Sequence, residues 1–310
     1  MLEKLFRLGY PKTFAERYYK LWGERALSIV QAMENPLPRC FRVNTLRIDV
    51  PALTKLLNKK GFQFKRVPWA REGFCLTREP FSIASTPEYL GGLLYIQEAG
   101  SMYPPIALEP KPGEVIADMA AAPGGKTSYL AQLMKNKGII YAFDVGEERL
   151  KETRLNLSRL GVTNTILIHK SSLYIDELGI EFDKILLDAP CTGSGTIHKN
   201  PERKASRTME DVKFCQNLQM KLLEKGLSVL RKGGILVYST CSLEPEENEF
   251  VIQWVLDNFN NIELLPLKYG EPALTNPFGI ELSEEIAKAR RFYPDRHGTS
   301  GFFVAKIRRI

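Results

Sequence analysis

Two cysteines stand in loops that each follow an apolar, strand-like segment, and their type and placement suit nucleophilic chemistry. Cys191 follows the segment 184–187 within the run Asp-Ala-Pro-Cys-Thr-Gly, and Cys241 follows the segment 235–238 within Ser-Thr-Cys-Ser. Parallel sheets carry their functional groups just beyond the carboxyl ends of their strands, so we expect both thiols to face one crevice. Because a thiolate is a strong nucleophile, the pair is a candidate for covalent catalysis.

The remaining cysteines, Cys40, Cys75 and Cys215, are expected to be buried and to act as small apolar side chains. The same structural interpretation stays open for Cys191 and Cys241. Five cysteines at irregular spacings are typical of a reducing cytoplasm rather than of a disulfide framework. The sequence contains no Cys-x-x-Cys pair and no cluster of histidines, so we expect no metal site.

The net charge of +7 is unevenly distributed along the 310 residues. Residues 1–90 contain 16 Lys and Arg against 8 Asp and Glu, whereas residues 91–310 contain 27 against 28. Cationic side chains supply the sequence-independent part of nucleic-acid affinity, so this division predicts a basic polyanion-binding module joined to a near-neutral catalytic domain. A solvated basic surface without a partner is the alternative.

The overall composition indicates a folded chain with a full core, since 44% of its residues are hydrophobic. No apolar run approaches the ~20 residues that span a bilayer. The first residues, Met-Leu-Glu-Lys-Leu-Phe-Arg, lack the apolar segment of a secretory signal. We therefore expect a cytoplasmic, monomeric protein with no membrane partner.

Residues 1–90 are predicted to form a small α+β module. Apolar residues at helical spacing indicate helices within 1–33, interrupted at Gly-Tyr-Pro. A strand from Cys40 to Asn44, a helix over 53–60 and two further short strands follow. Helices and strands that are segregated in this way are typical of an α+β unit.

Residues 91–310 show a different order, in which strands and helices alternate from Gly113 onward. This alternation predicts a Rossmann-like, doubly wound α/β sheet. A last apolar segment over 301–307 is predicted to be an antiparallel edge strand of that sheet.

The loop that follows the first strand of this sheet has the small residues of a ligand-binding turn. It runs Asp-Met-Ala-Ala-Ala-Pro-Gly-Gly-Lys-Thr over 118–127 and opens a helix whose N–H groups can receive a ligand. Gly125-Lys126-Thr127 looks like the end of a phosphate-binding P-loop, but Ala120 stands where that motif needs glycine. The sequence therefore predicts a cofactor without a pyrophosphate.

Asp144 closes the second strand, twenty residues after Gly124. An acidic side chain at this place commonly holds the ribose hydroxyls of an adenosine-bearing cofactor. A ribose without a pyrophosphate points to S-adenosyl-L-methionine. Capping of the following helix is the alternative role for Asp144.

Three motifs together resemble the NOL1/NOP2/Sun (RsmB-like) family of RNA cytosine-C5 methyltransferases. They are Ala-Ala-Pro-Gly-Gly-Lys-Thr at 121–127, Asp-Ala-Pro-Cys-Thr-Gly-Ser-Gly at 188–195 and Tyr-Ser-Thr-Cys-Ser at 238–242. The likeness extends over nearly the whole chain, through the segments 41–46, 95–102, 246–249 and 297–303. The resemblance implies a methyltransferase domain over 91–310 and an RNA-binding module over 1–90.

The resemblance also assigns catalytic roles. In the family the cysteine of the Thr-Cys motif is the nucleophile, which implies that Cys241 adds to C6 of the target cytosine. Cys191 then corresponds to the cysteine that assists product release. Asp188 resembles the acid that hydrogen-bonds the N3/N4 edge of the cytosine, with a structural or helix-capping carboxylate as the alternative. Lys126 is expected to reach the active site and to favour the thiolate, rather than to be an exposed lysine at a helix start.

By the same resemblance one set of residues is expected to bind S-adenosyl-L-methionine: Ala120, Ala121, Ala122, Pro123, Gly124, Gly125, Lys126, Asp144, Arg149, Ser171 and Asp188. The chain departs from the family pattern after its third strand, where it has His-Lys-Ser-Ser at 169–172. Relatives commonly place an aspartate there, near the adenine. Ser171 can still hydrogen-bond the adenine edge. For Arg149, a solvated helix arginine is the alternative.

The expected partner is RNA, and the compact chain resembles the tRNA enzymes of the family more than the rRNA enzymes. The alternatives are an rRNA enzyme, a DNA cytosine-C5 methyltransferase with Cys191 as nucleophile, and a non-catalytic RNA-binding assembly factor. The basic residues expected to bind RNA are Arg39, Arg42 and Arg47. Residues that can line the path of the RNA are His198, Lys199, Arg203 and Lys204. If the amino-terminal module is only structural, the candidates become Arg290, Arg291 and Arg296.

Overall fold

The structure is a computed structural model that describes residues 2–310, so Met1, which opens the first predicted helical segment, lies outside the described residues. The amino-terminal helices are α1 (Leu2–Arg7), α2 (Lys12–Trp22) and α3 (Arg25–Glu34). The next elements are β1 (Cys40–Val43), α4 (Val50–Lys59), β2 (Gln63–Arg66), β3 (Gly73–Arg78), α5 (Pro87–Leu90), β4 (Leu94–Ile96) and α6 (Ala99–Leu108).

The alternating part of the chain then begins. Its first half consists of β5 (Val115–Asp118), α7 (Gly125–Leu133), β6 (Ile139–Asp144), α8 (Glu147–Leu160), β7 (Thr165–His169) and β8 (Phe182–Asp188). Its second half consists of α9 (Arg203–Ser206), α10 (Met209–Val229), β9 (Leu230–Thr240), α11 (Glu249–Asn258), β10 (Ile262–Leu265), β11 (Glu271–Pro272), β12 (Arg290–Phe292), α12 (Pro294–His297) and β13 (Phe302–Arg309). Among residues 2–310, no helix is long and apolar enough to cross a membrane.

The chain divides into two compact units. The first unit comprises the residues up to Leu37, Ala189–Leu223 and Tyr238–Arg308, and the second comprises Pro38–Asp188, Glu224–Val237 and Arg309–Ile310. Helices α1–α3 belong to the first unit, where they share one apolar core with later segments, including Leu5, Phe14, Ile29, Val212, Leu243 and Tyr293. The predicted functional division at residue 90 concerns RNA affinity, and it stays a prediction.

The second unit contains a small α+β part over 38–96, whereas helices α1–α3 of the predicted 1–90 module belong to the first unit. Four antiparallel strands form a sheet in the order β2-β3-β1-β4. Helix α4 begins where Asp49 accepts a hydrogen bond from the Ala52 N–H at 2.7 Å, as an N-cap residue does. Its Leu53 and Leu57 are fully buried in the core that covers this sheet.

Cys40 on β1 and Cys75 on β3 form a disulfide bond, so the prediction that both are free thiols is wrong. The register of the two strands places Cys40 directly opposite Cys75, and such cross-strand neighbours are close enough to be bridged. Cys215 on α10 is half-buried and has no disulfide partner. The cysteine content of this chain therefore gives no argument for a reducing compartment.

The large sheet has the strand order β11-β12-β13-β9-β8-β5-β6-β7, and β10 pairs with β13. The pairs β5–β6, β6–β7 and β5–β8 are parallel, which confirms the predicted Rossmann-like, doubly wound α/β architecture. Strand β13 is antiparallel to β12, but it is not an edge strand, because β12 and β11 lie outside it. The prediction of an edge position is wrong, since the two short outer strands give little periodic signal.

Parallel strands of this sheet end at acidic residues. Within the second unit, β5 ends at Asp118, β6 at Asp144 and β8 at Asp188. Strand β8 carries the fully buried run Ile185, Leu186 and Leu187 immediately before the last of these. The apolar run therefore fixes the strand, and the polar residue after it is presented at the carboxyl end, where α/β folds bind ligands.

Candidate active site

The thiols of Cys191 and Cys241 lie side by side in the first unit. Their sulfur atoms are 3.1 Å apart and not bonded, and both residues are partly exposed. This arrangement confirms the expectation that the two loops present their thiols at one place. The hydrogen bond to Cys241 and burial raise the pKa of Cys191 well above its usual value. Cys191 therefore favours its protonated form, as a thiol beside the sulfur of Cys241.

Backbone hydrogen bonds tie the two cysteine loops together. The Ala189 N–H donates to Ser239 O at 2.8 Å, before the two cysteines are reached. Beyond them, the Gly195 N–H donates to Cys241 O at 3.0 Å. Gly193 between these points has a φ of 69°, a left-handed conformation that favours glycine. The loops are thus fastened on both sides of the thiol pair.

Gly195 and Gly301 bring a third backbone segment against these loops. The Gly301 N–H donates to Gly195 O at 2.9 Å. A Cβ atom at Gly195 would lie 2.3 Å from Gly301 O, and a Cβ atom at Gly301 would lie 2.9 Å from Gly195 Cα. Both separations are too short for a side-chain carbon, so both positions require glycine.

Three fully buried carboxylates follow Cys241 in the sequence: Glu244, Glu247 and Glu249. Burial raises the pKa of Glu244 to about 7, although Arg17 lies 3.1 Å from it. Glu249 forms a buried ion pair with Arg291. The sequence prediction did not give these acids a role. The segment 242–249 reads Ser-Leu-Glu-Pro-Glu-Glu-Asn-Glu, so it contains no local signal that these acids are buried.

Lys126 and Asp188 form an ion pair in the second unit, with Nζ and Oδ2 2.6 Å apart. Both side chains are more than two-thirds buried. Asp188 is followed by a loop and not by a helix, so it is not a helix cap. Lys126 lies in the first turn of α7, but it is not an exposed lysine. The helix-cap alternative for Asp188 and the exposed-lysine alternative for Lys126 therefore do not hold, and the catalytic roles of both residues stay predictions.

The predicted cofactor loop is built on Asp118, whose side chain is fully buried. Asp118 accepts a hydrogen bond from the Thr127 hydroxyl at 2.7 Å, and burial raises its pKa to about 6. The Ala121 N–H donates to Phe143 O at 2.8 Å, which fastens the loop to β6. Gly124 has a φ of 95°, and a Cβ atom there would lie 3.1 Å from Thr153 Cγ2. The loop therefore keeps its backbone open to a ligand.

Asp144 is almost completely buried at the end of β6. Its Oδ2 accepts a hydrogen bond from the Ala122 N–H at 3.2 Å, and its Oδ1 accepts one from the Gly146 N–H at 2.9 Å. Arg149 lies 3.3 Å from Asp144 Oδ2 and donates to Ala122 O at 3.2 Å. Arg149 is therefore more than a solvated helix arginine, because it braces the loop.

The residues of the second unit fit S-adenosyl-L-methionine. Each Asp144 oxygen keeps a lone pair for a ribose hydroxyl beyond the bond described. Ser171 accepts a hydrogen bond from the Leu173 N–H at 3.3 Å, so its own hydroxyl proton can still be donated. The loop at 120–125 consists of Ala, Pro and Gly, whose small side chains let a ligand approach the backbone. These features would hold an adenosine and its ribose without any phosphate contact.

Two of the arginines expected to bind RNA are buried and cannot contact it. Arg42 is 1% exposed, donates to Ser128 Oγ at 2.8 Å and to Gln97 Oε1 at 3.2 Å, and lies over the Tyr129 ring. Arg291 is also 1% exposed. The predictions for both residues are therefore wrong. Charge counting cannot separate a surface arginine from one that satisfies a buried polar cluster.

The other residues expected to bind RNA or to line its path are at least partly exposed. Arg39 and Arg47 are exposed, and Arg39 pairs with Glu79. In the loop after Cys191, Lys199 is exposed and His198 Nε2 lies 3.4 Å from Ser300 Oγ. Arg203 donates to the Thr196 hydroxyl at 2.6 Å, and Lys204 pairs with Glu34. Arg290 is half-buried, and Arg296 is exposed.

Within residues 2–310, no group of three or more His, Cys, Asp or Glu side chains is arranged to hold a metal ion. The polar clusters described above consist of hydrogen-bonded carboxylates, hydroxyls and thiols.

Two family models match this chain, and together they cover most of its length. The family model for 16S rRNA methyltransferase RsmB/F matches residues 105–308. A second model, for the N-terminal domain of 16S rRNA methyltransferase RsmF, matches residues 10–99. The chain belongs to the RsmB/F methyltransferase family. The two matched regions of this RsmB/F chain meet close to the boundary that the charge distribution predicts.

Several relatives of this RsmB/F chain are similar over most of its length. It is 40% identical over 291 residues to the 28S rRNA (cytosine-C(5))-methyltransferase of Mus musculus, a match that covers 92% of this chain and 37% of the mouse protein. It is 38% identical over 302 residues to the tRNA (cytosine(49)-C(5))-methyltransferase of Pyrococcus abyssi, which covers 96% of both. A crystal structure of a methyltransferase homolog protein from Pyrococcus horikoshii matches with a TM-score of 0.95 at 78% identity, covering 100% of this chain and 98% of that one.

The curated relatives differ in length from this RsmB/F chain. It spans between 36% and 51% of the length of four rRNA relatives, from mouse, human, Schizosaccharomyces pombe and Caenorhabditis elegans. The match to the Pyrococcus abyssi tRNA relative, in contrast, covers 96% of that relative's length.

Proposed function

We propose that this chain is an S-adenosyl-L-methionine-dependent RNA (cytosine-5)-methyltransferase. The observation that carries the proposal is the unbonded thiol pair of Cys191 and Cys241, with the two sulfur atoms 3.1 Å apart. C5 of cytosine is a poor nucleophile until a thiolate adds to C6, so the chemistry requires one thiol to attack and a second group to help reverse the attack. Family membership and the names of the relatives support the same activity.

In the proposed mechanism Cys241 is the nucleophile. The raised pKa of Cys191 favours its protonated form, and we assign the attack to the neighbouring sulfur of Cys241. Addition of the Cys241 thiolate to C6 places electron density on C5. After C5 has been methylated, a base takes the C5 proton. The electron pair of that C–H bond then forms the C5=C6 double bond as the C6–sulfur bond breaks, and Cys241 leaves as a thiolate. Cys191 assists this last step with its neighbouring thiol.

Lys126 and Asp188 are proposed to act on the base. A carboxylate that hydrogen-bonds the N3/N4 edge stabilises the ring most as it gains a proton during attack. The Lys126 ammonium, 2.6 Å from Asp188 Oδ2, orients that carboxylate.

The cofactor is proposed to bind the loop at 120–125 together with Asp144, Arg149 and Ser171. S-adenosyl-L-methionine, when bound, would supply an electrophilic methyl group on a sulfonium centre. The residues of this chain would hold it by the ribose and the adenine. Asp144 accepts from the ribose, Ser171 donates to the adenine edge, and Arg149 keeps the loop closed over Ala122.

The proposed substrate is tRNA. The relative that matches this chain over 96% of both lengths is named as a tRNA (cytosine(49)-C(5))-methyltransferase, which supports this choice. An rRNA substrate is the second candidate, because the matching family models and the mouse relative are named for rRNA. RNA affinity is proposed to come from exposed basic residues of the segment 1–90. These include Arg39 and Arg47 but not Arg42, which is buried. A cytoplasmic location follows from a tRNA substrate.

The two-cysteine mechanism is tested by exchanging each thiol separately. Cys241→Ala should abolish methylation, because no nucleophile remains. Cys191→Ala should instead form a Cys241–RNA adduct that is not released, since addition is intact and elimination is impaired. The measurements are transfer of labelled methyl groups to RNA and the fraction of protein that runs as a covalent complex on a denaturing gel.

The alternatives give different outcomes in the same experiment. Near-normal methylation by Cys241→Ala would disprove the nucleophile assignment, and an adduct mapped to Cys191 would favour the DNA-type mechanism. Tight RNA binding by the parent protein without any methyl transfer would favour a non-catalytic assembly factor. Bisulfite sequencing of RNA from cells with and without the gene would separate tRNA from rRNA.

A further inference from the structure

A fully buried carboxylate lies behind the two cysteine loops and contacts both. We propose that Glu247 is a positioning residue that clamps the Cys191 loop to the Cys241 loop and so sets the reactivity of the thiol pair. Glu247 touches neither sulfur within the described contacts, and it acts through the residues that follow the two cysteines. This inference rests on the proposed function, because the clamp matters for the release step assigned to Cys191.

Glu247 holds the Cys191 loop through its neighbours. Its carboxylate accepts hydrogen bonds from the Thr192 N–H at 2.9 Å and from the Thr192 hydroxyl. It also accepts from Gln219 Nε2 at 3.1 Å, and the same amide group donates to Pro190 O at 2.9 Å. The residues on both sides of Cys191 are therefore fixed to this one carboxylate.

The same side chain holds the Cys241 loop. The Ser242 hydroxyl donates to Glu247 Oε1 at 2.6 Å, directly after the nucleophile. The Glu247 backbone is fixed in turn, because the Tyr238 hydroxyl donates to Glu247 O at 2.6 Å. Asn248 adds a bond from its Nδ2 to Ser242 O at 2.9 Å. One residue thus links the two loops whose thiols lie 3.1 Å apart.

The donors around this position suit a carboxylate. The Thr192 N–H and Gln219 Nε2 bond Oε2, the Thr192 and Ser242 hydroxyls bond Oε1, and an ionised carboxylate can accept from all four. A glutamine has one acceptor oxygen for the two N–H groups, so its NH2 group would force both hydroxyls to turn and accept, and the negative charge would be lost. The negative charge of Glu247 also adds to the effects of Cys241 and burial that raise the pKa of Cys191. The clamp therefore fixes both the place and the protonation of the second thiol.

The first test compares Glu247→Gln with Glu246→Gln. Glu246 is a matched control, because it is the adjacent carboxylate and hydrogen-bonds Arg17 rather than a cysteine loop. Glu247→Gln should lower kcat for methylation by up to about 100-fold, the size expected for a misplaced catalytic group. The KM for RNA should be unchanged, and a Cys241–RNA adduct should accumulate. Glu246→Gln should behave as the parent does.

The second test needs no RNA and does not depend on the proposed function. Limiting iodoacetamide is added to the free protein, and the modified cysteines are mapped by mass spectrometry. The parent should be alkylated at Cys241 in preference to Cys191 by about tenfold or more, since each pKa unit between two thiols is a factor of ten in thiolate. Glu247→Gln should lose this preference, whereas Glu246→Gln should keep it.

The outcomes separate the two proposals. If the parent methylates no RNA but Glu247→Gln still loses the alkylation preference, the clamp stands and the proposed function fails. Parent-like release and parent-like alkylation in Glu247→Gln would overturn the clamp. If Glu247→Gln does not fold, as judged by its melting temperature, Thr192→Val and Ser242→Ala each remove one donor and keep the charge. An unchanged adduct level in both of these variants would also overturn the proposal.

Discussion

Arg42 is basic, which suggests an RNA contact, but its side chain is buried among polar groups of the protein. Its guanidinium is enclosed by Gln97, Ser128 and the ring of Tyr129, and burial lowers its pKa to about 10. The side chain therefore remains a cation at neutral pH inside the protein. Its hydrogen bonds join β1 to α7, which ties the small sheet to the helix that follows the cofactor loop.

Replacing Arg42 should affect stability rather than RNA contacts. Arg42→Ala removes a charged donor from several buried acceptors, so we expect a loss of about 2–4 kcal/mol in the free energy of unfolding. Arg47 lies at an exposed position, so Arg47→Ala should change the free energy of unfolding by less than about 0.5 kcal/mol. Denaturant unfolding followed by circular dichroism measures both. Equal stability of the two variants would contradict the structural role of Arg42.

At the scale of elements, the small sheet is held by a covalent bond as well as by its ladder. The disulfide between β1 and β3 closes a segment with a sequence separation of 35 residues. In the chain-entropy model a loop of this length stabilises the folded state by about 3–4 kcal/mol, because the unfolded chain loses freedom. The bond therefore bears on the stability of this part of the second unit and not on the thiol chemistry.

Removal of this disulfide should be measurable without loss of the cysteine pair in the first unit. Cys75→Ser should lower the free energy of unfolding by up to about 4 kcal/mol. The melting temperature with and without a thiol reductant provides the comparison, and the variant should no longer respond to the reductant. A parent protein whose melting temperature is the same in both buffers would show that the bond does not contribute.

Most elements could be predicted from the sequence, and the exceptions have identifiable physical causes. The runs that form β5, β8 and β9 are apolar enough to indicate buried strands, and the alternation with helices gives the sheet type. The disulfide could not be predicted, because it depends on the register of two strands and not on the spacing of Cys40 and Cys75. The position of β13 depends on short strands that lack a periodic pattern of their own.

The candidate site was predictable to a similar extent. Local motifs indicated Cys191, Cys241, Asp188 and Lys126, since each stands directly beyond a strand or at the start of a helix. Glu247 could not be found in this way. Its importance comes from four donors contributed by three other parts of the chain, and no local pattern of residues shows their convergence.

For the molecule as a whole, buried carboxylates should make stability depend on pH. Burial raises the pKa of Glu244 to about 7 and that of Asp118 to about 6. A carboxyl whose pKa is higher in the folded state binds its proton more tightly there than in the unfolded chain. Its contribution to the free energy of unfolding is therefore complete below the unfolded pKa, near 4. That contribution is lost as the pH rises through 6 and 7.

We therefore expect the free energy of unfolding to fall between about pH 4 and pH 7, by at most about 1.4 kcal/mol per pH unit for each proton. Glu244→Gln removes one of the titrating groups, so the slope should become shallower in the upper part of this range. Thermal or denaturant unfolding at several pH values provides the measurement. A slope of opposite sign in the parent, or one that Glu244→Gln leaves unchanged, would contradict this assignment.

The contact between Gly195 and Gly301 also limits how such a chain can diversify. The two residues are 106 positions apart in the sequence, yet each occupies the space that a methyl group on the other would need. In a library that varies both positions, no substitution at one can be rescued by a smaller residue at the other, because both are already the smallest. The two glycines are thus a joint constraint on mutation, and a search for activity on other bases has to leave both unchanged.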